Sequence, residues 1–91
     1  MSETHIHASH PDIVKRLKRA EGHLRSIVTM IESERSCVDI AQQMHAVEKA
    51  VAQAKKALIQ DHMDHCLAPG ASSPDTLKET LEEFRVLAKY L

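Results

Sequence analysis

The sequence predicts an all-α protein with a three-helix protomer, and three observations support this prediction. Hydrophobic residues make up 43% of the 91 residues but aromatic residues only 2%, and a core of small and aliphatic side chains favours helices over sheets. Apolar residues recur every three or four positions, which is the spacing of one helix face. Two stretches interrupt that spacing, so helices are expected at about 11–34, 37–67 and 74–91.

The first helix is predicted to begin at Pro11, because proline suits the first turn of a helix, with Ser9 or His10 as the cap before it. An apolar stripe then continues to Ile31. The stretch 33–36 is polar and breaks the apolar spacing, so the helix is expected to end there.

The second helix is predicted to begin at Cys37, since neither Pro nor Gly follows until residues 69–73. That segment, Pro-Gly-Ala-Ser-Ser, is a strong stop signal. The third helix is expected to have Ser73 as its cap and Pro74 at its first position, and its heptad-like apolar spacing continues to Leu91.

A chain of 91 residues is long enough for one domain. We expect a flexible, histidine-containing arm over residues 1–10 and a single domain over 11–91. The two long helices carry apolar stripes that one short helix cannot cover, so a dimer or larger bundle is expected. No run of 18 apolar residues and no secretion signal occurs, which predicts a cytoplasmic protein that does not enter a membrane. A reducing cytoplasm disfavours a disulfide between the two cysteines.

Two potential metal ligands lie near the end of the second helix. His62 and Cys66 are four residues apart on one helical face, within reach of one ion. A thiolate beside an imidazole suits copper, nickel, cobalt or zinc. Cys37 is the candidate third ligand, but within one continuous helix it lies about 37 Å from His62. An antiparallel copy of the helix would place its Cys37 beside this pair, so we predict two symmetric sites shared between subunits.

Three more histidines precede the first helix, namely His5, His7 and His10. We interpret His7 and His10 as members of a fortuitous histidine-rich tract. His5 is the more interesting position, because a mobile arm could close over a bound ion and add this imidazole as a further ligand. Cysteine-rich coordination favours Cu(I), extra imidazoles favour Ni(II) or Co(II), and Zn(II) is also compatible.

Basic residues on the polar sides of the first two helices form a candidate DNA-binding surface. They are Lys15, Arg16, Lys18, Arg19, Arg25, Lys49, Lys55 and Lys56. The net charge of −1 does not by itself favour a nucleic-acid partner. In a symmetric oligomer, however, these residues would repeat across a flat surface and contact DNA phosphates. The sequence contains no helix-turn-helix or zinc-finger motif, so recognition would depend largely on backbone contacts and DNA shape.

Three segments resemble the copper-sensitive operon repressor (CsoR/RcnR) family. They are the run from Arg16 to Ile27 (RLKRAEGHLRSI), the run Cys37-Val38-Asp39-Ile40 followed by Gln42 and Gln43, and the pair His62 and Cys66. The likeness covers residues 11–91. It implies an antiparallel helical-hairpin dimer that assembles into a flat homotetramer. It also implies a repressor that binds operator DNA when metal-free and leaves it when the inducer binds, which turns on metal efflux genes.

The variable sensing positions of that family fall here on His5, Cys37, His62 and Cys66. Cys, His and Cys at the last three positions resemble the Cu(I) branch, whereas His at the first resembles the nickel and cobalt branch. The resemblance thus implies Cu(I), which we slightly prefer, or Ni(II) or Co(II) as the inducer. It also implies an acidic residue beside the ligands, a role for Glu82 or Glu83.

Several other readings use the same residues. A metal-storage or metal-chaperone bundle would need the ligands but would not bind DNA. Formaldehyde sensors of the family have Pro where this chain has Ser2, and persulfide sensors have a second Cys in place of His62, so formaldehyde or thiol-stress sensing is a minor alternative.

The resemblance also concerns DNA contacts. Arg16 matches a basic DNA-contact position of the family, while Gln53 stands where related proteins often carry Arg. An enzyme is not expected, because no nucleophile is accompanied by a base and an orienting acid.

Overall fold

The computed structural model describes the backbone of residues 9–66 and 74–91 and the side chains of residues 9–64 and 77–91. The described residues form three helices, which are α1 (His10–Glu32), α2 (Cys37–Cys66) and α3 (Pro74–Ala88). No strand occurs among them, so the all-α, three-helix prediction is confirmed. The molecule measures 58 × 23 × 17 Å, and it is long because α2 alone extends for about 45 Å.

α1 starts one residue earlier than predicted, at His10, and Ser9 precedes it. The backbone of Ser9 is helical, with φ −84° and ψ −11°, and its hydroxyl does not cap any of the described helix N–H groups. A capping side chain normally requires an extended backbone. Ser9 instead contributes its carbonyl oxygen, which accepts a hydrogen bond from the N–H of Ile13 at 3.0 Å. Pro11 lies in the first turn, as predicted.

α1 ends at Glu32, two residues before the predicted end, because Glu34 adopts a left-handed backbone with φ 59°. The N–H of Glu34 donates to the carbonyl of Ile31 at 3.1 Å, and the N–H of Arg35 donates to that of Met30 at 3.0 Å. These two bonds define a Schellman motif. Glycine is the usual residue at the left-handed position, so glutamate carries a steric cost there.

α2 begins at Cys37 with a side-chain cap. The hydroxyl of Ser36 accepts a hydrogen bond from the N–H of Asp39 at 3.1 Å, and its carbonyl accepts one from Ile40 at 3.0 Å. α2 then continues for 30 residues to Cys66. The predicted stop at residues 69–73 and the predicted cap at Ser73 lie outside the described residues.

The core lies mainly between α1 and α2. Its buried members among the described residues are Ile13, Ala20 and Ile27 of α1 and Val47, Ala54 and Ile59 of α2. The α1 members recur every seven positions, so they form one stripe along the helix. At the middle of the hairpin, His23 Nε2 and Gln43 Oε1 form a hydrogen bond of 2.5 Å. This core leaves many large apolar side chains of α1 and α2 exposed.

α3 packs against the carboxyl-terminal part of α2. It ends at Ala88 rather than at Leu91, where the sequence placed its end. The N–H groups of residues 89–91 bond to carbonyls three residues earlier, at distances of 2.9 to 3.4 Å, because the last turn of a helix often tightens in this way. Within the described part of the chain, no helix is both long enough and apolar enough to cross a membrane.

Candidate functional site

The predicted ligands lie at opposite ends of α2. Cys37 is the first residue of the helix, Cys66 is the last, and His62 lies one turn before the end. Because α2 is continuous, Cys37 and His62 of one chain are about 37 Å apart. The described side chains contain no group of three His, Cys, Asp or Glu residues close enough to hold a metal ion. One chain therefore does not bring Cys37 to His62.

His62 is oriented by a carboxylate from another helix. Its Nε2–H donates a hydrogen bond of 2.5 Å to Oε1 of Glu83 on α3, and the His62 side chain is 25% exposed. Metal-binding histidines commonly donate one ring N–H to a carboxylate, which fixes the ring and makes the other nitrogen more basic. Glu82, the neighbouring acid, lies 3.4 Å from Arg85 instead.

A pocket of about 490 Å³ adjoins His62. His62, Glu83 and His10 contribute its polar lining, and the rest is apolar, from Leu58, Ile59, Val86 and Leu87. The position of His10 was missed by the sequence reasoning, which placed it in a fortuitous tract. The available signal was its place directly before Pro11, since the start of α1 lies beside the end of α2 in an antiparallel hairpin.

The other predicted ligands are less fully described. Cys37 is a free cysteine and is exposed. The backbone of Cys66 completes α2, but its side chain lies outside the described part of the chain, as does all of His5. Cys37 and His62 nevertheless show the main feature of the candidate site, which is a thiol at one end of a long helix and a carboxylate-bound imidazole at the other.

Cys37 and His62 belong to one row of positions along the outer surface of α2. We call this set the α2 row, and it consists of Cys37, Ala41, Met44, Glu48, Val51, Lys55, Leu58 and His62. Successive members are three or four residues apart, so they lie on one helical face. Met44, Val51 and Leu58 are between 42% and 55% exposed. The candidate ligands thus lie at the two ends of an apolar face that a single chain leaves uncovered.

α1 adds a matching uncovered face next to the α2 row. Its members are Val14, Leu17, Leu24, Val28 and Ile31, which are 43% to 55% exposed. A groove between the two faces is lined by Leu24 of α1 and by Met44, Val47 and Glu48 of α2. The two helices therefore present one broad apolar surface, and contiguous exposed apolar surface is a common mark of an interaction site.

The predicted basic residues do not form one patch. Arg16 and Arg19 line a shallow groove together with Ala50 and Gln53 of α2, and we call this feature the arginine groove. Gln53 is about 160° from Val51 around α2, so the arginine groove and the α2 row lie on different faces. The groove combines the two α1 arginines with Gln53, the position at which the family resemblance implies another arginine.

The remaining bases have other surroundings. Lys18 lines a groove with Val14, Leu17 and Glu21, and Arg25 lies 3.7 Å from Glu21. Lys15, Lys49 and Lys56, three other predicted DNA contacts, are exposed, and Lys55 is exposed too but belongs to the α2 row. Sequence spacing alone could not predict which basic residues lie together, because their neighbours depend on which face of α1 packs on α2.

Residues 9–89 match the model of a family described as metal-sensitive transcriptional repressor. The copper-sensing transcriptional repressor CsoR of Bacillus subtilis (strain 168) is 40% identical over 80 residues, which cover 85% of this chain and 79% of that protein. The copper-sensing transcriptional repressor RicR of Mycobacterium tuberculosis is 35% identical over 68 residues, 74% of this chain and 71% of that protein.

Two solved structures share the fold. One is the nickel-responsive transcriptional regulator InrS, with a TM-score of 0.78 and 30% identity, covering 96% of this chain and 98% of that one. The other is a variant of the formaldehyde-responsive regulator FrmR from Salmonella enterica serovar Typhimurium. It has a TM-score of 0.81 and 26% identity, covering 96% of this chain and 99% of that one.

Proposed function

This chain belongs to the family of metal-sensitive transcriptional repressors, and from that premise we propose that it binds operator DNA when metal-free and releases it when a metal ion binds. Release would allow expression of metal efflux genes. The repressor would act in the cytoplasm, where its operator lies. The observation that carries this proposal is the placement of Cys37 and His62 at the two ends of one exposed helical face.

The proposed metal site is formed by two subunits. If the α2 rows of two copies pack antiparallel, Cys37 of each copy lies beside His62 and Cys66 of the partner subunit, which gives two equivalent sites. The uncovered apolar faces of α1 and α2 supply the surface for this packing, since burying them removes large side chains from water. Two such dimers would assemble into the homotetramer that the family resemblance implies.

The donor set favours a soft transition metal. Two thiolates and one imidazole suit Cu(I), and the relatives named as copper-sensing repressors support this preference. The likeness to a nickel-responsive regulator keeps Ni(II) and Co(II) as alternatives, with His5 as the further nitrogen ligand in that case. Zn(II) would also accept this set. In every case, Glu83 would hold the imidazole of His62 in place.

Metal binding would weaken DNA binding by changing how the two subunits pack against each other. The arginine groove is repeated once per chain on a face of α2 away from the α2 row, so its spacing across the dimer depends on how the two α2 helices pack. A metal bridge between the chains would favour one packing, and the proposed arrangement fits DNA phosphates less well. Coupling of this kind is typically about 1–3 kcal/mol, a factor of about 5 to 150 in affinity.

The decisive experiment follows operator release during metal titration. Anaerobic additions of Cu(I), Ni(II) and Co(II) to the protein bound to a fluorescent fragment of its own promoter would give stoichiometry, absorption and anisotropy together. We expect one of the three metals to release DNA from the wild type. Cys37→Ala should bind DNA normally but should not release it when the metal is added. Val38→Ala, an exposed neighbour off the α2 row, is the matched control. Full release by Cys37→Ala would contradict the shared site, and no DNA binding by metal-free wild type would favour a storage protein.

A further inference from the structure

Two charged residues interrupt the apolar α2 row. Glu48 and Lys55 are seven positions apart, two turns along the same face, with Val51 between them. All other described members of the row are apolar or are the candidate ligands Cys37 and His62. Charges in an otherwise apolar seam usually determine which partner and which register a helix accepts.

Glu48 lies directly at the edge of the apolar surface. It lines the groove formed with Leu24, Met44 and Val47, although its own side chain is 82% exposed. Its Oε1 lies 3.8 Å from Nδ1 of the His45 ring. A copy packed over this groove would meet the carboxylate of Glu48 next to Leu24 and Met44.

Among the described side chains, those of residues 9–64 and 77–91, no acidic group pairs with Lys55. Glu48 cannot serve, because two turns separate the residues by about 10 Å along the helix. Lys55 is exposed, yet it follows Val51 and precedes Leu58 in the row. An acid supplied by another chain would therefore complete this position.

We propose that Glu48 and Lys55 are the residues by which two copies of this chain recognise each other. In an antiparallel pair of α2 rows, each Glu48 faces Lys55 of the partner subunit, and Val51 lies near the two-fold axis. Each dimer then contains two identical ion pairs at the edge of an apolar seam. A register shifted by one or two turns opposes a charge to an apolar residue or to a like charge, which disfavours it.

The ion pairs select the same register as the proposed metal site. Residues 48 and 55 are symmetric about the point midway between Val51 and Ala52, and residues 37 and 66 are symmetric about the same point. The register that joins Glu48 to Lys55 of the partner subunit thus places Cys37 opposite the partner's Cys66, one turn from its His62. This inference rests on the antiparallel dimer of the proposed function, but the two charges were not used to derive that dimer.

Charge reversal tests the pairing in metal-free protein. Glu48→Lys places lysine against lysine at both contacts, and Lys55→Glu places glutamate against glutamate. We expect each variant to associate with itself about tenfold or more weakly than the wild type. An equal mixture of the two restores opposite charges at both contacts, so mixed dimers should form nearly as tightly as wild-type dimers. Differently tagged chains and sedimentation velocity would measure both effects.

The double variant and a neighbouring charge provide controls. Glu48→Lys combined with Lys55→Glu in one chain should recover self-association, and Lys56→Glu, the same charge change one residue away from the row, should leave it unchanged. Failure of the mixture to recover, or wild-type association of either single variant, would overturn the pairing. If wild-type protein still releases DNA with metal in that case, the proposed function stands without it. A wild-type protein that remains monomeric would overturn both.

Discussion

The two ends of α2 are stabilised in different ways. At the amino end, the Schellman turn at Glu34 and the Ser36 side-chain cap involve only residues close in sequence, and Cys37 is exposed. At the carboxyl end, His62 is largely covered and is bound by Glu83 from a separate helix. The imidazole half of the candidate site is therefore oriented within one chain, whereas the thiol half is positioned by local structure alone and depends on a second chain for its partners.

Removing Glu83 should give the largest effect at the carboxyl end. Glu83→Ala leaves His62 without the carboxylate that orients its ring, and loss of such a partner typically lowers metal affinity by about 10- to 100-fold. Competition titration with a chelator would measure this change, and DNA binding by the metal-free protein should persist.

Glu82→Ala is the matched control for this experiment. Its carboxylate lies near Arg85 rather than His62, so metal affinity should stay within about twofold of the wild-type value, as for most surface substitutions. If Glu83→Ala and Glu82→Ala lose the same amount of metal affinity, the contact of Glu83 with His62 does not orient the metal ligand at this end of α2.

Removing the α2 cap should give the next largest effect, at the amino end. Ser36→Ala deletes the hydroxyl that accepts the N–H of Asp39, which costs about 1 kcal/mol of unfolding free energy. Ser36→Asn retains a capping oxygen and should restore most of that loss. Chemical denaturation monitored by circular dichroism gives both values, and equal stability of Ser36→Ala and wild type would show that the cap does not stabilise this end.

Replacing the left-handed residue before α2 should stabilise the protein slightly. Glu34→Gly removes the steric cost of φ 59° but makes the unfolded chain more flexible, and we expect a net gain of about 0.5–1 kcal/mol. Glu32→Gly, inside the last turn of α1, provides the opposite control, with a loss of about 1 kcal/mol. A loss for Glu34→Gly as well would contradict the left-handed turn.

The smallest effect on stability is expected at Cys37 itself. Because this residue is exposed, Cys37→Ala should change the free energy of unfolding of the metal-free protein by less than about 0.5 kcal/mol. The same denaturation experiment measures it. A larger loss would assign Cys37 a structural role and would weaken the contrast between the two ends.

Local spacing in the sequence predicted the helices but not the contacts between them. The run without Pro or Gly after Cys37 correctly indicated a helix long enough to separate Cys37 from His62. The end of α1 was predicted too late, because Glu34 takes a position that glycine usually signals. The choice of Glu83 over Glu82 depends on how α3 rotates against α2. No spacing along one helix carries that information.

The surface residues illustrate the same limit. The basic residues were predicted on the polar sides of the first two helices, but the sequence did not indicate which of them lie together: Arg16 and Arg19 share a groove with Gln53, while Arg25 lies near Glu21. The rotation of α1 about its axis is set by Ile13, Ala20 and Ile27, which are buried against α2. Once that stripe is identified, the arginine groove follows on one side of it and the uncovered apolar face on the other.

The central claim is that the thiol and imidazole of one metal site come from different chains, and subunit complementation tests it most directly. Cys37→Ala protein and His62→Ala/Cys66→Ala protein should each fail to bind the metal tightly. Their mixed dimers should bind about one ion, because one of the two symmetric sites is intact. Tight binding by Cys37→Ala alone, or no binding by purified mixed dimers, would contradict the shared site.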